Sequence, residues 1–208
     1  MKLYVMPPSP RAFKVIALKN HLGIECEIEV VDLGKGDQLT PEYAAMNPNK
    51  KMPMLEDDGY VLWESNAILF YLASKKPERG LWPSDVRRQA DVIRWLAWES
   101  AHWDAESLGM VGYEKVSRVV LHRAGSADQA FIARGEENFA RLAEVLNTSL
   151  IGRKWLAGNT ATIAEFAIGA WIPAASRLEL PIAKYPEIVR WYEGLAMLSG
   201  WRESMVAQ

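Results

Sequence analysis

Two short runs of this chain can do chemistry together. Lys51-Met52-Pro53-Met54-Leu55 enters an apolar strand through a proline, and nine positions after Leu55 comes Glu64-Ser65-Asn66-Ala67-Ile68, a polar opening to an apolar helix. A cis X-Pro bond costs only about 0.5–1 kcal/mol, against about 2.5–4 kcal/mol for other residues. A cis bond at Pro53 would turn the Met52 backbone outward, where its N–H and C=O can pair with an extended peptide as an added strand does. A trans proline opening an edge strand is the other reading of the same residues. The second run offers the free N–H groups and partial positive charge of a helix start. Ser65 can give its backbone N–H and hydroxyl to a carboxylate, and Glu64 can meet an ammonium. A plain first-turn acid beside a cap is the structural alternative. Together the runs read as a site for a small zwitterionic peptide.

The elements that must position these residues are short. Lys2 to Met6 reads as a strand. Ser9-Pro10 then opens a helix, serine being a good N-cap and proline suiting the first turn. Val15, Leu18 and Leu22 recur at helical spacing, and Gly23 ends the run. From Glu25 to Asp32 the sequence alternates, with Cys26, Ile28 and Val30 on one face and Glu25, Glu27 and Glu29 on the other. That predicts a half-buried strand with Cys26 inward and a right-handed βαβ crossover. Pro41 to Met46 reads as a short helix stopped by Asn47-Pro48. Two strands flank Asp57-Asp58-Gly59, a hairpin signal, and a helix runs from Glu64 to Lys75. Residues 78–83, with Gly80 and Pro83, form a linker. Beyond them the pattern is helical throughout, with starts at Ser84 or Asp85, Ala127, Thr162 and Pro186. Thr162-Ile163-Ala164-Glu165 fits a capping box. The expected fold is therefore α/β followed by all-α, with domains at 1–77 and 84–208.

The bulk numbers exclude several classes. A net charge of -2 over 208 residues gives no attraction to polyanions, so nucleic acid is not expected as a partner. No apolar run approaches a membrane span. Met1 to Pro7 is too soon broken for a secretory signal, and a cytoplasmic protein is expected. The one cysteine, Cys26, allows neither an intrachain disulfide nor a multi-cysteine metal site. Nine tryptophans suit a helical core, with some lining an apolar pocket.

Met52-Pro53, Glu64-Ser65 and the helix start at Thr162 carry a resemblance that extends over nearly the whole chain. The sequence resembles the soluble glutathione S-transferases, bacterial-like and serine-type. The resemblance implies a thioredoxin-like N-terminal domain, an all-helical C-terminal domain, a cis proline at Pro53 and a homodimer. It implies glutathione as co-substrate, held by Lys51, Met52, Pro53, Glu64 and Ser65, with no metal. It makes Ser9 the catalytic candidate, donating a hydrogen bond to the thiolate of glutathione. A free thiol near pKa 8.5 is only a few per cent ionised at neutral pH, so such help matters. A plain N-cap is the alternative role for Ser9. Pro10 and Arg11 stand where cysteine-type classes carry their cysteine, and Tyr4 lies too early in the first strand for a tyrosine-type site. The hydrophobic, electrophilic acceptor is expected against the long helix after the linker, near Trp98, His102 or Trp103, with Arg11 steering an anionic substrate. Detoxification by conjugation is the implied activity. Its alternatives are non-catalytic binding of glutathione or a hydrophobic ligand, and glutathione-dependent reduction, dehalogenation or isomerisation.

Overall fold

The computed structural model describes residues 1–7 and 9–206. They divide into two compact units, residues 1–80 with the segment from Met197, and Leu81–Ala196. The division falls inside the expected linker. The sequence pattern predicts a helical domain over 84–208, and the structure differs at its C-terminal end. The C-terminal segment belongs with the first unit, because Trp201 is buried edge-on against Phe13 at 4.9 Å and the Asn20 side chain donates to the Ser204 hydroxyl at 2.8 Å. Gly200, at φ 80°, makes the approach possible, since a Cβ there would collide with the backbone of Asn20 and His21.

The first unit runs β1 (Lys2–Val5), α1 (Pro10–Leu22), β2 (Glu27–Val30), α2 (Pro41–Met46), β3 (Met54–Asp57), β4 (Tyr60–Trp63) and α3 (Ser65–Ser74). The sheet order is β2-β1-β3-β4, with β1 parallel to β2 and the other pairs antiparallel. Leu3, Val5, Val15, Leu18, Leu55, Ile68, Leu69 and Leu72 are fully buried and form the core of this unit. Gly23 closes α1 at φ 64°, its N–H bonded to the Asn20 carbonyl and that of Ile24 to the Lys19 carbonyl. Asp57 pairs with Tyr60, so Asp58-Gly59 is a two-residue turn with φ of 51° and 82°, the type I′ geometry expected of Asp-Gly. β2 departs from its alternation. Ile28 and Val30 share the face of buried Leu3 and Val5, their partners in register, yet are 41% and 58% exposed. They lie on the edge strand, where the cover given to the central strand runs out.

The second unit is helical: α4 (Val86–Trp98), α5 (Gln129–Ser149), α6 (Ile163–Gly169), α7 (Ile172–Arg177) and α8 (Pro186–Ala196). A final helix, α9 (Trp201–Val206), lies in the C-terminal segment. Asp85 caps α4 by accepting from the Arg88 N–H at 3.0 Å. The long helix expected past Trp103 is present but widens to a π-helix over Glu99–Leu108. There Trp98 stacks on Trp103 five residues on, at 5.6 Å. Gly109 donates its N–H to the Asp104 carbonyl, an approach too close for any Cβ.

Thr162 and Glu165 form the capping box. Glu165 takes the Thr162 N–H at 2.6 Å and the Leu156 N–H at 2.7 Å, and Thr162 accepts from Ala164 at 3.3 Å. The Glu165 side chain is fully buried, and burial raises its pKa. Thr162→Ala should therefore lower the unfolding free energy by about 1–2 kcal/mol in urea titration. Its affinity for ligands of the first unit should be unchanged.

Candidate functional site

The strand register decides which loops meet. Tyr4 on β1 lies opposite Met54 on β3, and Met54 lies opposite Trp63 on β4. This row stands at the start of β3 and the end of β4, and one residue before the end of β1. Beyond it lie the turn from β1 to Ser9, the entry to β3 through Met52-Pro53, and the step from β4 into Glu64-Ser65. Three stretches far apart in the chain thus share one end of the sheet.

The Met52-Pro53 bond is cis. Neither the N–H nor the carbonyl of Met52 has a hydrogen-bond partner among the described residues. The Met52 side chain packs on the cluster of Val31, Tyr43 and Met54. Glu64 occupies the position before α3 at φ 73° and ψ 111°, a conformation that costs a non-glycine residue about 1–3 kcal/mol. It makes no capping bond. Ser65 is the first residue of α3 and is buried. Lys51 is exposed. Ser9 takes the N-cap position of α1 with extended backbone, but its side chain accepts no capping hydrogen bond. The helix start does not consume the hydroxyl through a capping bond.

Two residues outside the sequence-predicted set act on this loop. The Lys51 carbonyl accepts from the Tyr43 phenol at 2.7 Å and from Asn47 Nδ2 at 2.7 Å. Asn47 Oδ1 accepts the Asn49 N–H at 3.0 Å, and the Asn47 carbonyl accepts the Lys50 N–H at 2.9 Å. Asn47-Pro48-Asn49-Lys50 is thus a β-turn with an Asx turn inside it. The Asn-Pro-Asn run signals that turn, although the sequence reading used Asn47-Pro48 only to stop a helix. Burial pushes the Tyr43 phenol up to about 12, with Asn47 opposing the shift. A second tie joins α1 to α3: buried Lys14 donates to Asn66 Oδ1 at 2.7 Å.

Other candidates fall elsewhere. The Tyr4 phenol donates to Glu56 at 3.0 Å, and its pKa is raised, first by burial and then by that carboxylate. Cys26 precedes β2, which runs parallel to β1, so it lies at the opposite end of the sheet from Ser9. It is half-buried rather than inward, beside an open cavity of about 710 Å³ lined also by Met1, Lys19 and Glu27. Burial raises its thiol pKa. Arg11 is exposed in the first turn of α1. In the helical unit, Trp103 is fully buried between Trp98 and Phe139, so it is a core residue and not a pocket wall. Trp98 and His102 are half-buried. His102 is bonded to Glu106 at 2.9 Å, and Arg141 holds the other oxygen of that carboxylate at 3.0 Å. The His102 bond, more than Arg141, lowers the Glu106 pKa.

Residues 1–74 match the family model described as "Glutathione S-transferase, N-terminal domain", and residues 105–198 match "Glutathione S-transferase, C-terminal domain". Glutathione S-transferase 3 of Zea mays is 32% identical, covering 100% of this chain and 94% of its own. Disulfide-bond oxidoreductase YfcG of Escherichia coli is 33% identical, covering 89% and 86%. A glutathione transferase family member from Pseudomonas fluorescens, solved with two glutathione bound, superposes with a TM-score of 0.84 at 28% identity, covering 98% and 91%.

The strained backbone at Glu64 predicts that Glu64→Gly will raise the unfolding free energy by about 1 kcal/mol, strain relief outweighing the entropy cost of glycine. Urea titration measures it. A loss of stability would show that φ 73° costs nothing here.

Proposed function

The chain belongs to the glutathione S-transferase family and is a glutathione transferase; from that premise we propose a serine-type mechanism on the site at the Tyr4-Met54-Trp63 row. The observation that carries it is the convergence of Ser9, an unpaired Met52 peptide and Glu64-Ser65 on one sheet end. Glutathione would lie extended across that end. The Met52 N–H and carbonyl pair with its cysteinyl backbone. The α3 N-terminus with Ser65 takes the γ-glutamyl carboxylate, Glu64 takes the ammonium, and Lys51 reaches the glycine carboxylate. The thiol then falls toward Ser9 and the N-terminus of α1. A hydroxyl that makes no capping bond is available to donate to sulfur, and both it and the helix dipole favour the thiolate. The thiolate attacks an electrophilic carbon of an apolar acceptor, and the leaving group departs with its electron pair. The acceptor site belongs to the helical unit, with half-buried Trp98 and His102 its candidates and Arg11 an accessory for anionic substrates. We assign the protein to the cytoplasm, as a homodimer serving detoxification. The exposed Tyr60, Trp63 and Phe70 on β4 and α3 supply apolar surface for a second copy.

A second reading is glutathione-dependent disulfide reduction, supported by the relative whose name is disulfide-bond oxidoreductase. The same thiolate would attack a disulfide sulfur and expel a thiolate. A second glutathione would then release the first as glutathione disulfide. Turnover of an aryl halide against turnover of a small disulfide, with glutathione in both, separates the readings.

Ser9→Ala should leave the affinity for glutathione within about twofold but raise the pKa of the bound thiol by about one unit. Thiolate absorbance against pH reads this directly. In the variant, kcat/KM falls about tenfold on the acid side of the profile and recovers as pH rises. An unmoved pKa removes Ser9 from the mechanism.

Glu64→Ala and Ser65→Ala should each weaken glutathione binding by about tenfold, one charge-assisted hydrogen bond being worth about 1.5–3 kcal/mol. Calorimetry measures both, and wild-type affinity in both refutes the assigned γ-glutamyl pocket.

A further inference from the structure

The two donors on the Lys51 carbonyl have a consequence for the neighbouring peptide N–H. A trans peptide is planar, with its carbonyl and its N–H pointing in opposite directions. The carbonyl of Lys51 and the N–H of Met52 belong to one such unit, because the cis bond is the next one along. Whatever fixes the Lys51 oxygen therefore aims the Met52 N–H the other way. The oxygen is held from inside the fold, by Asn47, which is 1% exposed, and by Tyr43, which is 5% exposed. The Met52 N–H is left pointing away from that buried pair, unpaired among the described residues.

We propose that Asn47 and Tyr43 are positioning residues for glutathione: by clamping the Lys51 carbonyl from within, they orient the Met52 N–H toward the cysteinyl carbonyl of the tripeptide. This rests on the glutathione site described above and adds to it the device that presets one of its hydrogen bonds. The clamp is itself held in place. Asn47 cannot rotate without losing the Asn49 N–H, and the Tyr43 ring packs edge-on against Tyr4 at 6.1 Å, within the cluster of Val31, Tyr43 and Met54. Burial pushes the Tyr43 phenol up to about 12, so it stays a donor through the neutral range. A carbonyl oxygen has two lone pairs, so both donors are accommodated at once. Released from them, the peptide would sample other planes, and the ligand would have to select the productive one at a cost in affinity.

The test uses Tyr43→Phe, which keeps the ring and removes one donor, and Asn47→Asp. The aspartate still accepts from Asn49 but turns an oxygen toward the Lys51 carbonyl. Circular dichroism and urea titration establish that each variant is folded. Calorimetry then compares glutathione with an analogue whose cysteinyl carbonyl is a thioamide, a weaker acceptor for the Met52 N–H. The wild type should bind glutathione about fivefold to tenfold more tightly than the analogue, the value of one hydrogen bond. Each variant should bind glutathione at least about threefold more weakly than wild type, Asn47→Asp most of all. In each variant the preference over the thioamide should shrink toward one. A folded variant with undiminished glutathione affinity overturns the proposal. So does a variant that weakens both peptides equally and keeps the full preference, since that is the signature of a purely structural role. A wild type that does not distinguish the two peptides overturns the N–H contact while leaving the glutathione site intact. A wild type that binds neither removes the site and the clamp together.

Discussion

The antiparallel register of β1, β3 and β4 is the constraint on which the site depends. Tyr4, Met54 and Trp63 stand in one row, and the segments leading to Ser9, through Met52-Pro53 and into Glu64-Ser65 lie beyond it. A slip of one residue between β3 and β4 would turn every side chain to the other face. It would also carry Glu64-Ser65 along the sheet relative to Pro53. What prevents the slip lies at the far end of the hairpin. Asp58-Gly59 adopts a two-residue turn in which both φ angles are positive, and that turn admits only one pairing of its strands. The offset between the Met52-Pro53 loop and the start of α3 is thus set by turn chemistry well away from either.

The same end of the sheet gathers positive potential. α1 and α3 both begin there, and a helix start carries a partial positive charge. Lys14 adds a buried ammonium bonded to Asn66 in the first turn of α3. The strained backbone at Glu64 raises the energy of the fold at the start of α3. On the proposed placement of glutathione, a thiolate near one helix start and a carboxylate near the other would be favoured by those partial charges.

Much of this was legible in the residues. Ser9-Pro10, Gly23, Asp58-Gly59 and the box at Thr162 each specify local backbone through chemistry that acts within a few residues, and each adopted the expected form. The parts that were not legible depend on tertiary neighbours. Ile28 and Val30 alternate like any half-buried strand, and only the strand order shows that they sit at an edge. Trp201 looks like one more tryptophan of a helical core, yet it packs on Phe13 of the first unit. Trp103 and Trp98 were indistinguishable by spacing, and the π-helical widening that stacks one on the other has no periodic signature. Tyr43 and Asn47 were passed over because their shared acceptor is a backbone carbonyl, which carries no residue type to notice.

Both chemical readings of the site share a requirement that narrows what the protein itself contributes. The chain has one cysteine, at the wrong end of the sheet and with its thiol pushed up by burial, so the reactive sulfur must arrive with the ligand. The first unit can then only hold that sulfur still and lower its proton affinity. On the proposed mechanism it would do so with groups that neither gain nor lose a covalent bond: a serine hydroxyl, two helix starts, and a peptide N–H aimed by Asn47 and Tyr43. Conjugation and disulfide exchange diverge only when the thiolate meets carbon or sulfur, and that choice belongs to the acceptor. Selection between them therefore falls to the walls that admit the acceptor, and a change of activity in this framework needs no change in the sheet, the cis proline or the residues that surround the thiol.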